Sequence, residues 1–251
     1  MKKSLILFTI LILTSCSSFM TNRALKKSGV FDTKSELKVI ENDQRKIIFI
    51  PMHHIGKKEF YDDVAKKVDS LQNLNFTVFY EGAINDKETD SLIQRKNGMK
   101  LRKLFGYYLQ RDMDTTSNII GEKTKYTGKH KLINQPKYSE LNVDSVKAIK
   151  ADVSLSELMN EFEKNYGEIT LDSCDYNYDI IDKNYDCKKA DKSLLKIFKK
   201  EYIKDYRNKS LAEKIFESNK DKILVIYGSS HYFGLYFELL KLDKNYRIEI
   251  K

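Results

Sequence analysis

The chain has 251 residues and a formal charge of +9, with two prolines, ten glycines and three cysteines. That length holds one domain or one large α/β unit with excursions, and so little proline and glycine excludes long disordered linkers. The basic residues are lysines scattered among nearly as many acids, without an arginine-rich stripe, so they read as solvated surface and exclude a nucleic-acid partner.

Residues 1–18, MKKSLILFTILILTSCSS, combine two lysines, an apolar run from Leu5 to Leu13 and small residues before a cysteine. This is the pattern of an export signal, too short for a spanning helix. Leu13-Thr14-Ser15-Cys16 resembles the bacterial lipobox, in which the signal is cut before the cysteine and the cysteine is lipidated. The expectation is a lipoprotein signal peptide over 1–15, a flexible tether over 16–36 and a single α/β domain over 37–251. Lipid on Cys16 would hold that domain at a membrane of the bacterial cell envelope, with the bilayer as partner, and the positive balance suits an anionic surface. The two other cysteines, Cys174 and Cys187, would then sit where a disulfide between them can persist.

From Leu37 the sequence becomes structural. Leu37 with Val39, and Ile47 to Ile50, are strand-like runs separated by Glu41-Asn42-Asp43-Gln44, which predicts a hairpin. The second run ends at Pro51 and is followed by Met52-His53-His54-Ile55-Gly56. Phe60, Tyr61, Val64, Val68 and Leu71 mark one face of a helix, and Phe76 to Tyr80 is a further strand that ends in Glu81-Gly82. Strand, histidine-bearing turn, helix and strand make a βαβ unit, whose crossover makes the strands parallel and puts His54 and Glu81 at one sheet edge.

The middle of the chain predicts a helical excursion. Leu92 to Leu109 carries helical periodicity, and Arg111 to Lys131 reads as a polar loop. Val143, Val146 and Ile149 predict a helix reaching Asp152, and Ser154 with Glu157 is a capping box that opens another, to Tyr166. Tyr166 to Lys192 reads as a solvated acidic loop containing Cys174 and Cys187. Asp175, Asn177, Asp179 and Asp186 fall there at positions 1, 3, 5 and 12 of a calcium loop, but Ile180 stands where such a loop needs glycine. Helical periodicity returns from Ser193 to Ser218, with a break at Asp205 to Asn208.

Ile223 to Tyr227 is a run of five apolar or aromatic residues, the signature of a strand buried on both faces. Gly228, Ser229 and Ser230 form a turn, His231 follows, and Tyr232, Leu235, Tyr236, Leu239 and Leu240 repeat at helical spacing. Tyr246, Ile248 and Ile250 alternate as a closing strand. The whole predicts an α/β fold: a central mixed, mainly parallel sheet with helices on both faces and a helical excursion in the middle of the chain.

Three side chains stand just past the ends of predicted buried strands: His54, Glu81 and His231. Parallel strands would bring them to one cleft. Two imidazoles and a carboxylate are a ligand set for one divalent metal ion with room for an activated water; without metal, Glu81 serves as base and a histidine as proton donor. Glu81 is the hardest to explain as structure, because a carboxylate after FTVFY is buried and needs a partner. His53 reads as the neighbour pointing the other way, and His130 as loop surface.

The pieces FIPMHHIG, VFYEGA and ILVIYGSSHYFG resemble the TraB/GumN/TIKI family, within the wider superfamily of erythromycin esterase and ChaN-like proteins. That family carries a GxxH motif after its first core strand, an acid ending a later strand, and a second GxxH near the C-terminus. Gly228-Ser229-Ser230-His231 matches the second motif, and Glu81 matches the acid. Pro51-Met52-His53-His54 matches the first with proline in place of glycine, and Arg207-Asn208 resembles the family's Arg-Asn pair. The resemblance covers about residues 45 to 85 and 200 to 241. It implies a hydrolase of peptides or esters with His54, Glu81 and His231 in the site, Arg207 as oxyanion stabiliser, and Gly228 and Pro51 shaping the turns. The other function it implies is a lipoprotein that binds and sequesters a peptide or small molecule without turnover, which the proline favours.

Overall fold

The structure is a computed structural model that describes residues 20–82, 91–107, 113–114, 119–120, 124–182 and 184–249. The export signal, Cys16 and Ile250 lie outside these residues. Among the described residues no helix is long and apolar enough to cross a membrane. The chain forms two compact units where the sequence predicts a single domain over 37–251.

The larger unit comprises Glu36–Met52, Val68–Leu109 and Val143–Lys251. It contains a six-stranded sheet of β1 (Lys38–Glu41), β2 (Lys46–Met52), β3 (Thr77–Tyr80), β4 (Ile149–Lys150), β5 (Lys222–Gly228) and β6 (Arg247–Ile248), in the order β6-β1-β2-β5-β3-β4. From β2 to β4 all pairings are parallel; β1 and β6 are antiparallel additions. The predicted hairpin joins β1 to β2, its turn closed by Asn42, whose Oδ1 accepts the N–H groups of Gln44 (3.1 Å) and Arg45 (2.7 Å).

The central strand explains its own composition. Ile223, Val225 and Tyr227 share a core with Ile47 and Phe49 of β2, with Leu211 and Ile215 of the helix Arg207–Glu217, and with Leu235 and Leu239 of the helix Tyr232–Leu242. Leu224 and Ile226 alternate to the opposite face and are as fully buried, so an unbroken apolar run is what this position requires. The α/β fold with a mixed, mainly parallel sheet is therefore the one the sequence indicates.

A second core belongs to helices. Leu101 and Leu104 from α1 (Ser91–Phe105) meet Leu158, Met159 and Phe162 from α2 (Leu155–Tyr166), together with Phe198 and Tyr202. Ser154 caps α2 as predicted, its Oγ accepting Glu157 N–H at 3.0 Å. The break expected at Asp205 to Asn208 does not occur. The backbone stays helical from α3 (Lys192–Ile197) through a nine-residue π-helix, Phe198–Tyr206, into α4 (Arg207–Glu217), and from here Tyr232–Leu242 is α5. The polar residues that mimic a break, Arg207 and Asn208, are buried. Of the helical stretch expected over Tyr138 to Asp152, only the 3-10 turn Tyr138–Leu141 forms: Val146 is 91% exposed, and Ile149–Lys150 is β4.

The acidic segment after α2 is largely exposed, as expected, but it is pinned at Asp175, Tyr185 and Cys187, which are buried. A disulfide joins Cys174 to Cys187 across a Cα separation of 5.8 Å. Asp175 is fully buried and accepts from Asp172 N–H (2.9 Å), Lys103 Nζ (2.5 Å) and Tyr185 Oη (2.5 Å). The carbonyls of Asp175 and Asp179 accept from the guanidinium of Arg102 at 2.7 and 2.5 Å. Of the four calcium-like positions, Asp175 and Asp179 thus meet protein cations.

The smaller unit comprises Met1–Ser35, His53–Lys67 and Gln110–Asn142. It contains residues 20–35, where the sequence predicts a tether: 20–27 are helical, and Val30 is buried in a cluster with Ile55, Tyr126 and Leu132. Ser35 donates through N–H and Oγ to Asp63 at 2.8 and 2.9 Å. Within the expected polar loop, Met113–Asp114, Ile119–Ile120 and Thr124–Lys125 pair antiparallel, and beyond it Ile133–Asn134 pairs with Ile55–Gly56.

Phe162 is fully buried and packs edge-on against Phe198 and Tyr202 at 5.1 Å each. Phe162→Ala is expected to cost about 3–5 kcal/mol in urea unfolding, against no more than about 0.5 kcal/mol for Ile181→Ala at an exposed position.

Candidate functional site

The site in the larger unit grows from the register of the parallel strands. Past the end of β3, Glu81 N–H donates to Ile226 carbonyl at 3.0 Å; past the end of β4, Ala151 N–H donates to Tyr80 carbonyl at 3.1 Å. Each ladder runs one residue beyond its strand, so Glu81 and Asp152 emerge at the C-terminal edge where β5 closes in Tyr227-Gly228. The first residue of α4, Arg207, completes the group.

Arg207 binds both acids. Its Nε donates to Asp152 Oδ1 at 2.8 Å, and its Nη2 donates to Asp152 Oδ2 at 2.7 Å and to Glu81 Oε1 at 2.5 Å. Asp152 Oδ1 also accepts from Tyr227 Oη (2.5 Å) and Val153 N–H (2.9 Å), and Glu81 Oε2 accepts from Gly228 N–H (2.9 Å). Glu81, Asp152, Arg207 and Tyr227 are all buried, which is tolerable because each charge meets an opposite charge or a donor. Burial alone would lower the Arg207 pKa, but the Asp152 hydrogen bonds and the surrounding negative charge raise it above the ordinary arginine value. Burial, and then Asp152, push the Tyr227 phenol well up, so it remains a donor.

His231 ends the short 3-10 turn Ser229–His231 that opens α5. Its Nδ1 lies 2.7 Å from Asn208 Oδ1. An amide oxygen only accepts, so Nδ1 carries the proton and Nε2 keeps its lone pair. The ring is 4% exposed and stands edge-on to Tyr227 at 5.0 Å. Burial and then Arg207 pull its pKa down to about 4, against a smaller upward pull from Glu81 and Asp152, so the imidazole is neutral at pH 7.

Two glycines make this closeness possible. A Cβ on Gly228 would stand 3.3 Å from Glu81 Oε2 and 3.5 Å from His231 Cδ2; on Gly234 it would stand 1.9 Å from Asn208 Nδ2. Gly228 therefore lets carboxylate and imidazole flank the strand end, and Gly234 lets α5 lie on the amide that holds the imidazole.

Of the residues the sequence singles out, Glu81, Arg207, His231 and Gly228 come together here. His54 belongs to the smaller unit, where it is exposed and its carbonyl accepts Gln135 N–H at 2.8 Å. His53, expected to point elsewhere, is the half-buried one: its ring lies against Phe60 at 5.2 Å, and burial lowers its pKa against the pull of Asp32. His130, expected as loop surface, is half-buried, its ring tilted against Phe31 with centroids 4.5 Å apart. Pro51 lies buried within β2, in register with Tyr227. Among the described residues no group of three or more His, Cys, Asp or Glu is gathered to hold a metal ion, and both carboxylates of this site are engaged by Arg207. Arg207 gives its Nε and Nη2 to these carboxylates, and its Nη1 has Ile203 carbonyl at 3.5 Å. Sequence reasoning misses Asp152, Tyr227 and Gly234; the signal for Asp152 is an acid directly after Ile149-Lys150-Ala151, a run too short to announce a strand.

In comparisons with known proteins, the chain matches no family model, no curated protein and no solved structure.

The histidine gives a pH prediction. The unfolded chain takes up its proton near pH 6.5 and the folded one only near 4, so between these values the unfolded state binds more protons and stability falls as pH drops. The loss is expected to reach about 3 kcal/mol once pH is below the folded value. Urea unfolding from pH 7 to 4 should show that much less decline in His231→Leu than in the parent.

Proposed function

We propose that the protein is a hydrolase in which Glu81 and His231 activate a water for attack on the carbonyl of a peptide or ester. The observation that carries this is the placing of a buried carboxylate and a neutral, tautomer-fixed imidazole on either side of Gly228. The water gives one hydrogen to Glu81 as base and directs the other to the Nε2 lone pair of His231, which aims its oxygen at the carbonyl carbon. The proton taken by Glu81 passes to the leaving oxygen or nitrogen as the bond to carbon breaks. Asn208 fixes the tautomer, and Arg207 holds the carboxylate in place. The resemblance of VFYEGA and GSSH to the motifs of the TraB/GumN/TIKI family supports the same assignment.

Sequestration of a peptide or small molecule without turnover is the second proposal, favoured by Pro51 where the family motif has glycine. A panel of chromogenic esters and peptides separates the two. Glu81→Gln is expected to lower turnover by about 100-fold or more, and Gly228→Ala to lower it as well, because its methyl would stand 3.3 Å from Glu81 Oε2. Binding of a panel member without any product supports sequestration, and activity lost on chelation restores the metal. In either case we propose a lipid-anchored envelope protein, for which mass spectrometry of the mature N-terminus should find a lipidated Cys16.

A further inference from the structure

We infer that Asp152 is the positioning residue of this site, the group that fixes Arg207 so that Arg207 in turn can hold Glu81. The inference rests on the hydrolase proposal only for its effect on turnover. Three segments meet at Asp152: its own, which runs from β4 and returns Val153 N–H to it; α4 through Arg207; and β5 through Tyr227. Its side chain is 1% exposed, and both oxygens are engaged.

The division of labour on the guanidinium is asymmetric. Nε donates to Asp152 alone, whereas Nη2 is shared between Asp152 and Glu81. Two parallel bonds to one carboxylate fix a guanidinium plane, and a single bond does not. The plane is therefore set by Asp152, and Glu81 meets a donor already in place. Tyr227 strengthens this from the other side: its hydroxyl donates to the oxygen that Nε uses, and its ring lies 5.3 Å from the guanidinium carbon. Glu81 is then held from two directions, by Arg207 at Oε1 and by Gly228 N–H at Oε2. Without Asp152, the guanidinium is free to turn onto Glu81 with two nitrogens and to draw Oε2 away from Gly228.

The Arg207 Nε–H resonance reports this directly, because its hydrogen bond ends on Asp152. In the full protein its hydrogen exchange, followed by 15N NMR, is expected to be slow beside that of the exposed Arg247. Asp152→Asn should speed it by about tenfold or more, the loss of one charged hydrogen bond, while Glu81→Gln leaves it unchanged. With an ester or peptide from the panel that the parent hydrolyses, Asp152→Asn should lower kcat by about tenfold or more with little change in KM, as displacement of a reacting group does. Equal release of Nε–H by Glu81→Gln and Asp152→Asn would overturn the inference. So would an Arg207 Nε–H in the parent that exchanges as fast as that of Arg247, which decides the matter even if Asp152→Asn does not fold. A parent that hydrolyses no panel member discards the hydrolase proposal and leaves the exchange comparison to judge Asp152.

Discussion

A guanidinium buried between two carboxylates organises the larger unit. Arg207 can leave water only because Asp152 and Glu81 meet it, and the acids can be buried only because Arg207 is there. Their positions in the chain, 81, 152 and 207, are far apart, so the ion group ties the ends of β3 and β4 to the start of α4. Removing Arg207 leaves two buried carboxylates without their counter-charge, a loss of about 3–5 kcal/mol, comparable to much of a domain's net stability. The electrostatics of the site and the closure of the sheet edge are thus one interaction.

The glycines around it act by what they lack. Gly228 is where a backbone N–H must reach a carboxylate that already touches an arginine, and any side chain would stand in the space between Glu81 and His231. Gly234 does the same for Asn208 one helical turn on. The run Gly228-Ser229-Ser230-His231 can therefore be understood from the fold alone: the glycine makes room, the strand-to-helix turn carries the histidine back over the strand end, and the next helix presses on the amide that fixes its tautomer.

Much of this is legible in the sequence, and the failures share a cause. Ile223 to Tyr227 announces a doubly buried strand because five apolar residues in a row leave no polar face. Glu81 announces itself because an acid after FTVFY must be paired. Asp152 stays hidden because β4 has two residues, too few for any periodicity, and Val143, Val146 and Ile149 imitate a helix that Val146 would have left facing solvent on every side. Asp175, Arg102, Arg207 and Asn208 look like surface because polarity is a cue to exposure only where no partner waits in another segment. Such pairings, from 23 residues apart for Asn208 and His231 to 73 for Arg102 and Asp175, are invisible to local pattern. His54 illustrates the reverse: being next to a strand end in sequence is not membership in the unit that strand belongs to.

The π-helix before Arg207 bears on how this sequence can change through descent. Each residue turns a helix by about 100°, so one deletion within Phe198–Tyr206 would swing Arg207, Leu211 and Ile215 away from their partners while Phe198 and Tyr202 stayed in theirs. Lys199, Lys200, Lys204 and Asp205 face solvent and carry little of the packing. Substitutions at those four positions are therefore expected to cost little, while a change in the count of residues between Phe198 and Arg207 is expected to cost the packing on one side of the π-helix.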